Sequence, residues 1–92
     1  MTIKRTSEAK WNGSITEGSG NVKLGSGAFE GAYSFNSRFG DDTVKTNPEE
    51  LIAAAHAACY SSALSGLLGR AGVQPTAEEA RAVVQVVKKE ER

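Results

Sequence analysis

A single cysteine, a single histidine, one tryptophan and two prolines are spread over 92 residues, and each scarcity removes a class of protein. One thiol cannot close an internal disulfide, so the chain is not a cross-linked framework of the kind found in small secreted domains. His56 and Cys59 lie three apart on what reads as a helix. A structural zinc site takes four ligands and a catalytic one usually three from the protein, so no metal is expected there. Neither charge is in surplus: eleven Lys and Arg against eleven Asp and Glu leave no field to gather phosphates or an anionic bilayer. Neither nucleic acid nor a membrane is therefore expected as a partner. The chain lacks a basic, apolar leader ending in a cleavage site, and with the lone thiol this predicts a cytoplasmic protein. The Gly-Ser-Gly clusters at 18–20 and 25–27 have neither the GxGxxG spacing nor the Gly-Lys-Ser/Thr of a P-loop. They read as turns, and no cofactor is expected. His56 has no serine partner in a nucleophile-elbow context, so serine hydrolase chemistry is unsupported.

What is present fits one domain over residues 1–92, at a size where burial is marginal and association often helps. Strand-like patterns come first and a long Ala and Leu segment follows, which predicts an α+β fold of antiparallel N-terminal strands, a central helix and a C-terminal strand. Ala9, Trp11, Gly13 and Ile15 alternate with Glu8, Lys10, Asn12 and Ser14, the pattern of a half-buried strand. Because that alternation runs through Asn12-Gly13, the turn is placed at residues 17–20, with Val22 and Leu24 beginning the return strand. Residues 32–35 form a possible short strand, and 40–42 a turn. Asn47 can cap a helix, Pro48 suits its first position, and Glu49 and Glu50 complement the positive end of the dipole. Its interior spans 51–68, and Gly69 or Gly72 offers a left-handed stop.

Two segments need a decision. Residues 51–69 run nineteen positions without Lys, Arg, Asp or Glu, long enough for a membrane span. Their Ala and Ser content, His56 and the Pro48-Glu49-Glu50 start favour a buried helix of a soluble fold. Toward the end, Thr76-Ala77-Glu78-Glu79 has the form of a capping box, whereas Val83, Val84, Val86 and Val87 favour extended structure. A strand over 80–88 is the adopted reading, with 88–92 a solvated end.

Cys59 is the remaining candidate for chemistry. Flanked by Ala57, Ala58 and Ala63, it reads by itself as a small apolar filler. A reactive thiol needs a helix N-terminus or a nearby cation. Twelve residues past Asn47, it is about 18 Å from the positive end of the helix. A cation from elsewhere would be required, with Arg38 in the loop before the helix the natural supplier and Arg70 a weaker one.

Phe35-Asn36-Ser37-Arg38-Phe39, followed by Thr46-Asn47-Pro48-Glu49-Glu50-Leu51-Ile52-Ala53-Ala54-Ala55-His56-Ala57-Ala58-Cys59-Tyr60-Ser61, resembles the hallmark of the osmotically inducible protein C and organic hydroperoxide resistance family. Ala9-Lys10-Trp11-Asn12-Gly13 and Ala71-Gly72-Val73-Gln74-Pro75-Thr76 are similar to the same family, nearest its osmotically inducible branch, so the resemblance extends from residue 1 to about 88. It implies a thiol peroxidase that reduces organic hydroperoxides, and hydrogen peroxide less well, through a cysteine sulfenic acid. By position it makes Cys59 the peroxidatic thiol, Arg38 the cation that favours the thiolate, and Glu49 the carboxylate that holds Arg38. Glu49 and Cys59 are ten residues apart, about 15 Å along a straight helix, which agrees with the intertwined homodimer the resemblance implies.

Family members continue for roughly another half-length, with further strands, a second helix and a resolving cysteine. On that basis the chain is expected to be a shortened member, regenerated by an external thiol or a lipoyl-type dithiol or pairing through Cys59 with a second copy. The alternative is a non-catalytic truncated member of the family, or a dimerisation module without peroxidase turnover.

Overall fold

The computed structural model describes residues 2–74 and 76–85. The chain divides into two compact units, Met1–Pro48 and Glu49–Arg92, and the architecture is α+β: three antiparallel strands, a short helix, then a long one.

In the first unit, β1 (Ser7–Asn12), β2 (Ser19–Leu24) and β3 (Glu30–Tyr33) form an antiparallel meander in the order β1-β2-β3. Registers Ala9↔Val22 and Trp11↔Gly20, with Val22↔Gly31 and Gly20↔Tyr33, put the small and apolar residues on one face. The intervening positions carry charge, and Glu8↔Lys23↔Glu30 form a rung of alternating sign in which each opposed pair adds about 0.2–1 kcal/mol. Asn21 Nδ2 donates to Glu30 Oε2 at 2.8 Å on that face. The period-two pattern therefore holds for Ala9 and Trp11.

It does not hold beyond them. β1 ends at Asn12, and residues 13–18 form the loop, with Ile15 64% exposed. Two local forces stop the strand at Asn12-Gly13. Gly13 takes φ +95°, in the left-handed region that favours glycine. The Trp11 indole then closes the loop, its Nε1–H shared between the carbonyls of Gly13 and Ser14 at 3.1 Å each. Gly18 N donates to Ser14 O at 2.8 Å. The return strand accordingly starts at Ser19, ahead of Val22.

On the apolar face, Gly20 is buried between the two aromatics of its rung. Trp11 and Tyr33 approach to 5.5 Å between centroids at 51°, a tilted geometry within the favourable range for aromatic pairs. A methyl group on Gly20 would fall 2.5 Å from Tyr33 Cζ and 2.7 Å from Trp11 Cε3, so the rings close over this site because it has no side chain.

After β3 the chain turns into a short helix, α1 (Phe35–Phe39), where the sequence suggested strand and loop. Ser34 caps it, and a capping box is complete, with Ser37 N donating to Ser34 Oγ at 3.1 Å and Ser34 N to Ser37 Oγ at 2.8 Å. Five residues are far below the length at which a helix is stable alone, so tertiary hydrogen bonds hold it, as detailed below.

The long helix α2 (Pro48–Arg70) begins and ends where its signals placed it, with Glu49 and Glu50 in the first turn and Arg70 in the last. Of the two candidate stops, Gly72 is used. It sits at φ +88°, Val73 N donates to Leu68 O at 2.8 Å and Gly72 N to Gly69 O at 3.1 Å, the bond pair of a Schellman ending. The expected burial of this helix is not found: none of its residues is buried, and Ile52, Tyr60 and Leu67 are each 58% exposed. Among the described residues no apolar side chain is buried. The substantial packings between elements are those within the sheet, β1–β2 and β2–β3. By length and composition α2 is also long and apolar enough to cross a membrane. Two of its serines bond within the helix, Ser61 and Ser62 donating to Ala58 O at 3.2 and 3.0 Å.

Residues 76–85 form neither strand nor helix. Of the expected strand over 80–88, the part up to 85 is thus irregular, and 86–88 lie outside the described residues. Val83 and Val84 favour an extended chain, but a strand exists only through a paired neighbour, and the meander pairs β1, β2 and β3 with one another alone among the described residues.

Candidate functional site

Arg38 lies on α1, not in a loop. Its guanidinium carbon stands 5.0 Å from the centroid of the Phe39 ring, a cation–π contact that adds about 0.5–1 kcal/mol at an exposed site. Phe39 in turn stacks on Phe35 at 5.2 Å and 57°, the i, i+4 pairing that one helical turn brings together. Arg38 therefore emerges from an aromatic ledge.

That ledge borders a cavity of about 250 Å³ lined by Trp11, Ile15, Tyr33, Ser34, Phe35, Arg38 and Phe39. Every wall except Ser34 and Arg38 is aromatic or aliphatic. An apolar body could rest against the rings with a polar oxygen end toward the guanidinium, whose several donors suit such an end. Trp11 and Ile15 were read on one half-buried strand. Trp11 is on β1 as expected and Ile15 lies in the loop that follows, and both line this cavity.

Three hydrogen bonds fix α1 to its surroundings. Ser37 is 5% exposed, the buried polar residue among those described. Its hydroxyl accepts from Ser34 N and lies 2.8 Å from Thr46 O and 3.1 Å from Ser34 O. With one proton to give, it donates to Thr46 O, the nearer of the two. Thr46 N donates to Ala32 O of β3 at 3.1 Å. Asn47 Nδ2 donates to Ser37 O at 3.0 Å. At about 0.5–1.5 kcal/mol net for each bond, these contacts outweigh the poor intrinsic stability of a five-residue helix.

Cys59 lies on α2, exposed, so the filler reading does not describe it here. Its carbonyl accepts from Ser62 Oγ at 3.1 Å. Glu49 stands in the first turn of the same helix, half-buried. About 15 Å of helix lies between the two, and α2 alone does not bring them to one point. His56, also on α2, is exposed. Sequence reasoning missed Ser37 and the amide of Asn47 as parts of the frame around Arg38. The Ser34-Asn36-Ser37 neighbourhood did carry a signal, because Ser followed three residues later by Ser satisfies the reciprocal geometry of a helix start.

The profile described as OsmC-like protein matches residues 40–92, which include Glu49 and Cys59. "Peroxiredoxin OsmC" of Escherichia coli strain K12 is 48% identical over 89 residues, covering 96% of this chain. The protein of that name from Shigella flexneri matches to the same extent. The chain spans 62% of the length of either relative. With a family profile over more than half its length and close relatives over nearly all of it, the chain belongs to the OsmC family.

Proposed function

We propose that the protein is a thiol-dependent peroxidase acting on organic hydroperoxides, and on hydrogen peroxide less well. Cys59 is its nucleophile, Arg38 the cation that favours the thiolate and orients the peroxide, and Glu49 the carboxylate that restrains Arg38. The observation that carries this reading is the position of Arg38: a guanidinium on an aromatic ledge at the edge of an apolar cavity, in a chain whose relatives are named peroxiredoxins. An alkyl or aryl group suits the aromatic walls, and the O–O end suits the guanidinium. Hydrogen peroxide brings no apolar body to the same walls.

In the reaction, the Cys59 thiolate attacks one peroxide oxygen. A sulfur–oxygen bond forms, the O–O bond breaks, and the second oxygen leaves as alkoxide and takes a proton to become the alcohol. Cys59 is left as sulfenic acid, oxidised by two electrons. An external thiol or dithiol of lipoyl type then returns it to the thiol, with loss of water and formation of the reductant's disulfide. The distance along α2 between Glu49 and Cys59 favours a site completed by a second copy, so the functional unit is a homodimer of one OsmC-like domain per chain. We assign it to the cytoplasm, where free thiols persist, and regard α2 as an interface helix, in keeping with His56 and its serines.

Freshly reduced protein exposed to one equivalent of cumene hydroperoxide, with a sulfenic-acid trap and followed by intact mass, tests this directly. Trapping at Cys59 that is faster than with hydrogen peroxide, lost in Cys59→Ser and strongly slowed in Arg38→Ala, is the expected result. Trapping at equal rates in the wild type and Arg38→Ala would remove Arg38 from the chemistry. No trapping in the wild type would leave a dimerisation module without turnover.

A further inference from the structure

We infer that Ser37 and Asn47 are positioning residues for Arg38: together they set where the guanidinium stands, and the rate of Cys59 oxidation depends on them through Arg38. The inference rests on the reading of Arg38 as the cation that serves Cys59.

The geometry is a chain of three bonds. Thr46 N is held by Ala32 O of β3 at 3.1 Å, Thr46 O receives the Ser37 hydroxyl at 2.8 Å, and Ser37 O receives Asn47 Nδ2 at 3.0 Å. The sheet, α1 and the residues just before α2 are thus joined through one residue, Ser37, whose hydroxyl and carbonyl both take part and which is 5% exposed. Burial matters because water cannot replace a lost partner there. Arg38 follows Ser37 directly in the chain, so a rotation of α1 about its axis carries the guanidinium with it. The aromatic stack does not prevent such a rotation, because Phe35 and Phe39 are both on α1 and turn together. The capping box does not prevent it either, since Ser34 and Ser37 are neighbours on the same turn. Only bonds from α1 to other segments resist it, and the Ser37 hydroxyl and the Asn47 amide supply two.

Asn47 serves this frame from a second direction. One N–H of its amide goes to Ser37 O, and it stands two residues before Glu49 in the chain. The residue that resembled a helix cap is thereby also a clamp on the turn bearing Arg38.

The test compares Ser37→Ala, Ser37→Thr and Asn47→Ala in the wild-type and Arg38→Ala backgrounds. Each variant is read for the rate of Cys59 oxidation by cumene hydroperoxide and for its thermal midpoint. In the wild-type background, Ser37→Ala and Asn47→Ala should slow oxidation about 10- to 100-fold, the loss that a displacement of about 1 Å can produce, while Ser37→Thr, which keeps the hydroxyl, should restore most of the rate. In the Arg38→Ala background the same changes should slow oxidation no further, although they still lower the thermal midpoint. Equal slowing with and without Arg38, or an unchanged rate in both Ser37→Ala and Asn47→Ala, overturns the inference while leaving the role of Arg38 intact. An Arg38→Ala protein that oxidises at the wild-type rate overturns the role of Arg38 and this inference with it. Should Ser37→Ala fail to fold, Asn47→Ala decides by the same criteria.

Discussion

Replacing Gly20 by alanine should loosen the Trp11–Tyr33 pair and destabilise the sheet. The added methyl would stand 2.5 Å from Tyr33 Cζ and 2.7 Å from Trp11 Cε3, so each ring has to retreat about 1 Å to reach ordinary carbon–carbon contact. Both rings are displaced at once, because Gly20 is opposite Trp11 on β1 and Tyr33 on β3. Overpacking of this kind costs about 1–3 kcal/mol, and the lost ring geometry accounts for about 0.5–1.5 kcal/mol of it. The lower chain entropy of unfolded alanine offsets about 0.5–1 kcal/mol. At the centre of these ranges the clash wins, with a net loss of about 1 kcal/mol and at most about 2.5 kcal/mol, and each kcal/mol lowers Tm by about 4–8 °C in a chain of this size. Trp11 is the sole tryptophan, so urea titration followed by its fluorescence reads the affected ring. Gly66→Ala is the control: no atom outside its own helix lies within 4 Å of the new methyl, and removing a mid-helix glycine should stabilise by about 0.5–1 kcal/mol. A Gly20→Ala protein with the wild-type midpoint and unchanged Trp11 emission would refute the steric reasoning.

Two further outcomes follow from local geometry. Gly72→Ala places a side chain at φ +88°, where an L-residue is disfavoured by about 1–2 kcal/mol; circular dichroism should show a lower melting temperature and fraying at the end of α2, and an unchanged melt would mean that the Schellman ending is not formed in solution. Asp42 is held below its ordinary value of 3.8 by the Val44 N–H first, then the Lys45 N–H and the Lys45 charge. Because the folded value is depressed, the turn gains stability while the carboxylate is ionised, above the ordinary value, and loses it as pH falls through the folded value. The Val44 amide resonance should therefore titrate in acid with the Asp42 carboxyl, an effect abolished in Asp42→Asn. A Val44 shift that ignores pH between about 5 and 2 contradicts the bond.

The long helix was legible because its limits are written locally: Asn47-Pro48-Glu49-Glu50 at one end and Gly72 at the other act within a turn of their own positions. The end of β1 was not. Alternation through Gly13 and Ile15 satisfies a strand pattern, and what breaks it is a left-handed glycine together with an indole that folds back on two carbonyls. α1 was missed for the complementary reason, since five residues carry too little periodicity and the bonds that hold the turn come from Thr46 and Asn47, nine and ten positions after Ser37. For the proposed site, the sequence offered a lone thiol, a distant arginine and a glutamate at a helix start. The cavity beside Arg38 was not legible, because Trp11 and Tyr33 face Phe35 and Phe39 across it only after the sheet has formed.

α2 keeps no side chain fully from solvent, and among the described residues no apolar side chain is buried. The heat capacity and denaturant dependence of unfolding both scale with the surface newly exposed. A solitary chain with so little hidden surface would melt broadly and respond weakly to urea. The homodimer proposed above would supply the missing sharpness, and chain concentration would then enter the melting temperature directly. Under that proposal the transition should move and steepen together over a dilution series, and stability would have no single value until a concentration is stated.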